Sequence, residues 1–399
     1  MTLAALVVFA GVLMLAPMAL LLQTGLMADG VPTLDPIRNA LDSRSVPRAL
    51  WNSLESAAIS AVLSLIVGVG VALLVGLTTL RGKAVFTFLV LIPMMVPPHV
   101  TAIAWTQALG PSSPLLGALG LAPPPGTPHP LYGKEGVIAL LAVQHMPLVF
   151  LVVLAALRTL PREMAEAARV AGAGPIRLLG RVILPLLAPS LLAAYALAFV
   201  SALGNFGIPA LLGIPGRYTT LPVLIWQRLS SFGPTMLADV AVLSALMALI
   251  AIVLIAVQMM LSARSRSALI GPPQPPLHLE LGRLRWLAEA GMVLLVAVTL
   301  ALPMASLFGT ALVITYGLPL TFETMTLANF EQVLLRQSVT LRAFANSTIA
   351  AGLAALVLAG LATILARLSA VSHNARRRVG IGLTALAEIT YASPGIVIS

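Results

Sequence analysis

The chain of 399 residues consists of long apolar runs separated by short polar segments. A helix that crosses a bilayer needs about 20 mostly apolar residues. Nine runs of this kind are bounded by charges or by Pro/Gly clusters, near Leu3–Leu22, Leu54–Leu80, Val85–Leu109, Gly136–Leu157, Leu186–Leu212, Met236–Leu261, Leu287–Tyr316, Phe344–Leu365 and Val379–Ser399. The pattern therefore predicts an all-α fold, a polytopic transmembrane helical bundle with about nine spans.

The composition agrees with a lipid environment. Hydrophobic residues make up 59% of the chain and charged residues 9%, whereas a soluble domain carries about 25% charged residues. The absence of cysteine excludes disulfides, thiolate metal sites and thiol nucleophiles. The five histidines stand singly, without the spacing of metal ligands. We therefore expect the lipid bilayer as a partner, and no metal site or cofactor.

The basic residues predict the orientation of the spans. If the N-terminus is cytoplasmic and the spans alternate, 15 of the 23 Lys and Arg residues lie in cytoplasmic loops. Such an excess on the cytoplasmic side is the rule in membrane proteins. The net charge of +10 is then explained by topology, and we expect no nucleic acid as a partner.

Two stretches of the chain resemble each other. Trp51-Asn52-Ser53-Leu54 opens one apolar helix, and Ala345-Asn346-Ser347-Thr348 opens another. In each copy a short basic loop and a proline-containing span follow. Because six spans, an even number, separate the copies, both copies face the same way, and the repeat is parallel rather than inverted.

The repeat divides the chain into four predicted regions. Residues 1–50 hold the first transmembrane helix and an outward loop, and residues 51–261 form a first unit. Residues 262–285 form a Pro-rich cytoplasmic linker, which we expect to be semi-rigid. Residues 286–399 start a second unit, which we expect to be truncated because the sequence stops just after its equivalent of Pro98.

Residues 158–185 form a predicted cytoplasmic loop with enough polar residues for a structure of its own. Pro161 suits the first turn of a helix, where its missing N–H is not needed. Gly172 and Gly174 are expected to end this helix, and Pro175 to start another. The loop therefore predicts a short helix–turn–helix at the membrane surface.

The side chains of this loop suggest a docking role. Glu163 and Glu166 lie near the positive end of the first helix dipole, where carboxylates are stabilised. Ala167, Ala168 and Ala171 leave a narrow face that another protein can approach closely. A small-residue surface with a charged rim suits the groove of a partner protein.

The same loop resembles a family motif. Glu166-Ala167-Ala168, Gly172 and Val182-Ile183-Leu184-Pro185 resemble the "EAA" loop of the permease subunits of binding-protein-dependent ABC importers. The family pattern is Glu-Ala-Ala, three residues, Gly, nine residues, Ile, one residue, Leu-Pro, and Val182 is the one departure. Residues 205–213 are also similar to a segment of the fused ferric-iron permeases, of which thiamine permeases are close relatives.

The resemblance implies a mechanism and partners. In that family the loop is a coupling helix seated in a cleft of a separate ABC ATPase subunit, and ATP-driven closure opens the path toward a loaded extracytoplasmic substrate-binding protein. It also implies a location in the bacterial inner membrane and ferric iron as the solute. The predicted docking residues are Glu163, Glu166, Ala167, Ala168, Gly172, Leu184 and Pro185.

The chain itself is not expected to be an enzyme. A phosphate-binding loop needs the pattern G-x-x-x-x-G-K-[ST], and the nearest stretch, Gly76 to Lys83, has five spacers and no hydroxyl residue after the lysine. ATP hydrolysis is therefore expected in a partner subunit.

Three polar side chains at membrane depth are candidates for lining a transport path, because such residues are costly in lipid. His145 either lines the path or belongs to a proline kink at Pro147 whose backbone groups are satisfied locally. Asn205, next to Gly204, either lines the path or permits close helix packing. Glu388 lies in the middle of the ninth predicted span.

Two other classes of membrane protein remain open. A secondary transporter with parallel repeats, driven by an ion gradient, predicts paired intramembrane carboxylates and no docking loop. A membrane-embedded enzyme predicts paired catalytic acids or histidine clusters within the spans. Co-purification with an ATPase subunit would distinguish the ABC permease from both.

Overall fold

The computed structural model describes residues 23, 27–28, 31–33, 35–124, 126–231, 236–264 and 279–370. Two short strands, β1 (Met27–Ala28) and β2 (Val31–Pro32), pair antiparallel. The helices are α1 (Asp35–Asp42), α2 (Ser45–Leu77), α3 (Lys83–Met95), α4 (Pro98–Leu109), α5 (Pro114–Ala118), α6 (Lys134–Leu157), α7 (Arg162–Val170), α8 (Pro175–Leu178), α9 (Leu184–Leu203), α10 (Leu221–Leu229), α11 (Met236–Arg264), α12 (Arg285–Val296), α13 (Leu302–Ala311), α14 (Ala328–Glu331) and α15 (Ser338–Ala370).

Wider or tighter helical turns join several of these helices. Leu179–Ile183, Pro209–Gly213, Ala297–Ala301 and Gln332–Arg336 are π-helical, and Gly282–Leu284 is 3-10. The expectation of an all-α transmembrane bundle is confirmed, apart from the one pair of two-residue strands.

The long helices match the predicted spans. Six helical stretches are long and apolar enough to cross a membrane, and the bent pair α3–α4 can form a seventh. These seven correspond to the second to eighth predicted spans. The first, Leu3–Leu22, and the ninth, Val379–Ser399, lie outside the described residues.

The core of the bundle is the packing of α2 against α6 and α9. The Ser64 hydroxyl donates to the Ala142 carbonyl at 2.9 Å. A Cβ at Gly68 would lie 2.8 Å from Val149, and one at Gly76 would lie 2.8 Å from Leu157. Small residues in α2 thus let its backbone approach α6 closely, which is how helices associate in lipid.

Contacts at the ends of α2 and α6 distinguish the two ends of the bundle. Because Gly76 meets Leu157, the loops that follow α2 and α6 lie together. Leu279 joins them, since its N–H donates to Leu77 and its carbonyl accepts from Thr79. We call this end, formed by residues 78–82, 158–183 and 279–285, the basic end. The opposite end is formed by residues 110–133, residues 213–221 and the start of α2.

Span boundaries differ from the prediction where polar residues continue or stop a helix. Helix α2 begins at Ser45 rather than near Leu54, because the polar residues before the apolar run are also helical. Helix α9 ends at Leu203 rather than Leu212, and Gly204 closes it. The predicted third span is bent by 102° at Val96 and Pro97, since consecutive prolines cannot continue a helix.

Candidate functional site

The loop between α6 and α9 folds as a helix–turn–helix. Helix α7 ends in a Schellman motif: the Ala173 N–H donates to the Ala168 carbonyl at 2.9 Å, and the Gly172 N–H donates to Arg169 at 3.0 Å. Gly172 has a φ of +81°, which glycine adopts without strain. Pro175 is the first residue of α8, as expected, whereas Pro161 lies just before α7 rather than within its first turn.

A few buried side chains fix this loop to the bundle. Ala165 is the buried side chain of α7, and Leu160 precedes the helix in the same hydrophobic core. On the return path Leu178 and Ile183 are also buried. We call residues 158–185 the platform. Their buried side chains pack against the ends of the bundle helices, so the loop does not project freely into solvent.

The outer surface of this platform is apolar as well as charged. Val170 is 90% exposed at the end of α7, and Ile176 is 87% exposed in α8. Exposed apolar side chains on a loop outside the spans are available for contact with a partner protein. Neither was predicted, because the sequence shows that a residue is apolar but not how far the folded chain leaves it exposed.

The predicted docking residues lie on or beside this surface. Glu163, Glu166, Ala167 and Gly172 are exposed, as is Pro185. Ala168 and Leu184 are half-buried, and the Ala168 carbonyl is the acceptor of the Schellman bond. The structure thus brings the seven residues together in one platform.

His145 is buried in α6 and bonded within its own helix. Its Nδ1 lies 2.7 Å from the Leu141 carbonyl, one turn earlier. Helix α6 continues through Pro147 without a break. This contact bonds one ring nitrogen within the helix and favours a local role for His145 over a side chain that projects into a path.

Asn205 acts as a helix cap. Its Oδ1 accepts a bond from the Ile208 N–H at 3.2 Å, at the start of the helical segment that leads into Pro209–Gly213. A Cβ at Gly207 would lie 2.7 Å from the His99 nitrogen. These contacts favour close packing over lining a path. Glu388 lies outside the described residues.

At the opposite end, polar contacts join two distant parts of the chain, and the sequence did not reveal them. The Asn52 amide donates to the Thr219 carbonyl at 2.9 Å, and the Leu221 N–H donates to the Ser53 hydroxyl at 2.7 Å. The Tyr218 hydroxyl donates to the Asn52 carbonyl at 2.8 Å. We call these five residues the clasp, because they hold residues 218–221 onto the start of α2.

Ionic contacts border the clasp. Lys134 Nζ lies 2.5 Å from Glu55 Oε1, and Glu55 Oε2 accepts from Tyr218 at 3.3 Å. Burial raises the pKa of the Tyr218 hydroxyl, and the Glu55 carboxylate raises it further. The phenol therefore remains a hydrogen-bond donor at neutral pH.

In the part of the chain that the structure describes, no three His, Asp or Glu side chains are grouped as a metal site would require.

Comparison with known proteins places this arrangement in a family. Residues 65–267 match the family described as binding-protein-dependent transport system inner membrane component. A Salmonella typhi protein named for a 2-aminoethylphosphonate transport system permease (PhnU) is 31% identical over 222 residues, which are 53% of this chain and 74% of that protein. A Haloferax volcanii protein named for a molybdenum ABC transporter permease is 33% identical over 187 residues, 46% of this chain and 65% of that protein.

A solved structure shares the fold. A bacterial ABC transporter involved in the import of the acidic polysaccharide alginate aligns with a TM-score of 0.56 and 19% identity, over 66% of this chain and 94% of that chain. The family match spans the core helices α6 and α9 and the whole platform between them. The chain is a multi-pass integral membrane protein and belongs to the family of ABC importer permease subunits that work with a binding protein.

Proposed function

We propose that this chain forms the membrane path for a solute delivered by an extracytoplasmic substrate-binding protein, and that a separate ABC ATPase drives it through the platform of residues 158–185. The observation that carries this proposal is the exposure of Val170 and Ile176 on a platform that is itself anchored to the core. A rigid platform with an uncovered apolar surface transmits movement from a partner to the helices behind it. In this proposal the chain contributes no catalytic residue.

Six of the seven predicted docking residues have a physical role in this proposal. Ala167, exposed and small, lets the partner surface approach the backbone of α7. Glu163, in the first turn of α7, and Glu166, in the middle of the helix, supply carboxylates for basic groups of the ATPase. Gly172 makes the turn that sets α8 against α7. Leu184 and Pro185 begin α9, so that displacement of the platform moves α9 directly.

The orientation follows from the charge distribution. The basic end carries the platform, and with alternating spans 15 of the 23 Lys and Arg residues lie on its side of the membrane, so we propose that it faces the cytoplasm. The N-terminus is then cytoplasmic as well. The clasp and the loop of residues 110–133 face the binding protein on the other side.

The path itself is proposed to run beside α3, α4 and α9, with contributions from a second unit. His145 and Asn205 then lie behind the residues that line the path, because both side chains are bonded to neighbouring backbone. Glu388 remains a proposed lining residue. The division into units at residues 51–261 and 286–399, joined by the linker of residues 262–285, is proposed on the repeat.

The proposed solute is ferric iron, on the similarity of residues 205–213 to iron permeases. A second candidate is a phosphonate, favoured by the 31% identity to the protein named for 2-aminoethylphosphonate transport. Purified complex in proteoliposomes, supplied with its binding protein, would be tested for uptake of radiolabelled ferric citrate and of radiolabelled 2-aminoethylphosphonate. Accumulation of one with MgATP, and not of the other, decides between them.

The coupling proposal is tested by a bulky substitution at the turn. Gly172→Trp is expected to abolish retention of the ATPase subunit by the purified permease, because Gly172 lies on the docking surface at a positive φ. Gly120→Trp is the matched control, since Gly120 also has a positive φ and open surroundings but lies in the loop at the opposite end. Equal ATPase retention by the two variants would contradict the proposal.

A further inference from the structure

The bend between α3 and α4 is held by one buried side chain of α6. Pro97 and Pro98 lack N–H groups, so the carbonyls of Pro93 and Met94 lose their usual helical donors. Val96, which precedes a proline, takes an extended conformation with a ψ of 128°. We call residues 93–101 the corner. Exposed backbone groups of this kind are costly at membrane depth unless another group bonds them.

Gln144 bonds two carbonyls of the bend, and the Val96 N–H also donates to one of them, that of Pro93, at 3.3 Å. Its Nε2 donates to the Pro93 carbonyl at 3.3 Å and to the Val96 carbonyl at 3.2 Å. Its Oε1 accepts from the Thr101 hydroxyl of α4 at 3.1 Å. Gln144 and Thr101 are 6% and 5% exposed. One amide therefore bonds the end of α3, the link and the first turns of α4.

The other side of the corner is open. Met95 is 77% exposed and Met94 is 45% exposed, and His99 is exposed as well. Because a Cβ at Gly207 would touch the His99 backbone, this open side adjoins the segment after α9. A histidine in contact with hydrocarbon is costly, and this cost favours water over lipid beside His99.

We propose that the open side of the corner, with Met94, Met95 and His99, borders the transport path, and that Gln144 is the positioning residue that sets the angle of the corner. This inference rests on the proposed function, because it names residues that form part of the wall of the proposed path. Helix α6 leads from Gln144 directly to the platform of residues 158–185. Movement of the platform therefore reaches the corner through a single continuous helix.

The experiment uses single cysteines, since the chain has none of its own. Met95→Cys and Ile66→Cys are compared in the complete complex in proteoliposomes, with a charged methanethiosulfonate as the probe. Ile66 is the matched control because it is 65% exposed in the middle of α2. Met95→Cys is expected to react at least about tenfold faster than Ile66→Cys, because a charged reagent does not enter hydrocarbon.

The role of Gln144 is read from the response to nucleotide. Trapping with MgATP and vanadate is expected to change the reaction rate of Met95→Cys, and Gln144→Leu to remove that change. If Gln144→Leu does not yield folded complex, Gln144→Glu, which keeps the size but loses the amide donors, is expected to reduce the change. An unaltered nucleotide response in the folded Gln144 variant, or equal rates at Met95→Cys and Ile66→Cys, would overturn the proposal.

These outcomes are distinct from failure of the proposed function. If no ATPase binds the platform, nucleotide does not change the reaction rate of Met95→Cys, either in the chain with Gln144 or in the Gln144 variant. The comparison of Met95→Cys with Ile66→Cys needs no ATPase, and it tests the open side of the corner by itself.

Discussion

The two ends of this bundle use their residues in different ways. At the opposite end, Asn52 and Ser53 are buried and bonded to residues 218–221, far along the chain. At the basic end, the platform of residues 158–185 is anchored by few side chains and exposes Val170 and Ile176. The first arrangement stabilises the fold, and the second leaves surface for a partner. Substitutions at the two ends should therefore affect different measurements.

The largest expected effect on stability is at the opposite end, where two glycines touch. A Cβ at Gly216 would lie 2.3 Å from the backbone of Gly133, so Gly216→Ala should lower the free energy of unfolding by about 3 kcal/mol. Gly180→Ala, at the basic end, is the matched control, because nothing lies within 4 Å of its added Cβ. Unfolding of both variants in mixed micelles measures the difference, and equal stabilities would remove the contrast between the ends.

The next effect is the loss of one bond in the clasp. Ser53→Ala leaves the buried Leu221 N–H without its acceptor, which should reduce the free energy of unfolding by about 2 kcal/mol. The predicted repeat suggests a control in Ser347→Ala, because Ser347 has the place of Ser53 in the Asn-Ser pair of α15 and is exposed. Thermal unfolding of the two variants in detergent should separate them. A similar loss in both would mean that the clasp adds no stability.

Much of this contrast could not be read from the sequence. The apolar runs predicted seven described spans, and Gly172 and Pro175 predicted the turn of the platform. The clasp was not predicted, because Asn52 and Thr219 are far apart along the chain and only the packing of α2 on α6 and α9 joins them. The exposure of Val170 and Ile176 was missed because the sequence gives the polarity of a residue but not its exposure in the folded chain.

The polar residues at membrane depth show the same limit. His145, Gln144 and Asn205 were recognisable as unusual in apolar spans. The bonding partners of Gln144 depend on a 102° bend whose angle no local pattern specifies, whereas His145 and Asn205 bond within their own segments. The consecutive prolines indicated a break in the helix, but the role of Gln144 in holding it required the structure.

A smaller effect is expected in the platform itself. Gly172→Ala forces a side chain into a left-handed conformation, which should cost about 1 kcal/mol of local stability. Gly174→Ala is the control, because Gly174 has a φ of −69° and open surroundings. Hydrogen exchange of α7 amides reports the loss, which should leave global unfolding nearly unchanged. Equal protection in the two variants would show that the turn is not under this constraint.

The smallest effect is that of the ion pair beside the clasp. Lys134 and Glu55 are partly exposed, so Lys134→Met should change the free energy of unfolding by less than about 1 kcal/mol. The pair of Arg336 with Glu331 is more exposed, and Arg336→Met should have a still smaller effect. Unfolding at low and high salt checks both, since screening weakens such pairs. If Lys134→Met lowers the free energy of unfolding as much as Ser53→Ala does, the ion pair stabilises the fold as strongly as a bond of the clasp, which would contradict this prediction.

The contrast between the two ends is tested most directly by cross-linking with the ATPase subunit. A photoreactive maleimide is attached to Ala167→Cys in the platform or to Arg217→Cys, an exposed residue beside the clasp, in a chain that has no other cysteine. Illumination of the complete complex should link the ATPase to Ala167→Cys and not to Arg217→Cys. Cross-linking at Arg217→Cys, or none at Ala167→Cys in a complex that retains its ATPase, would contradict the assignment of the platform as the docking surface.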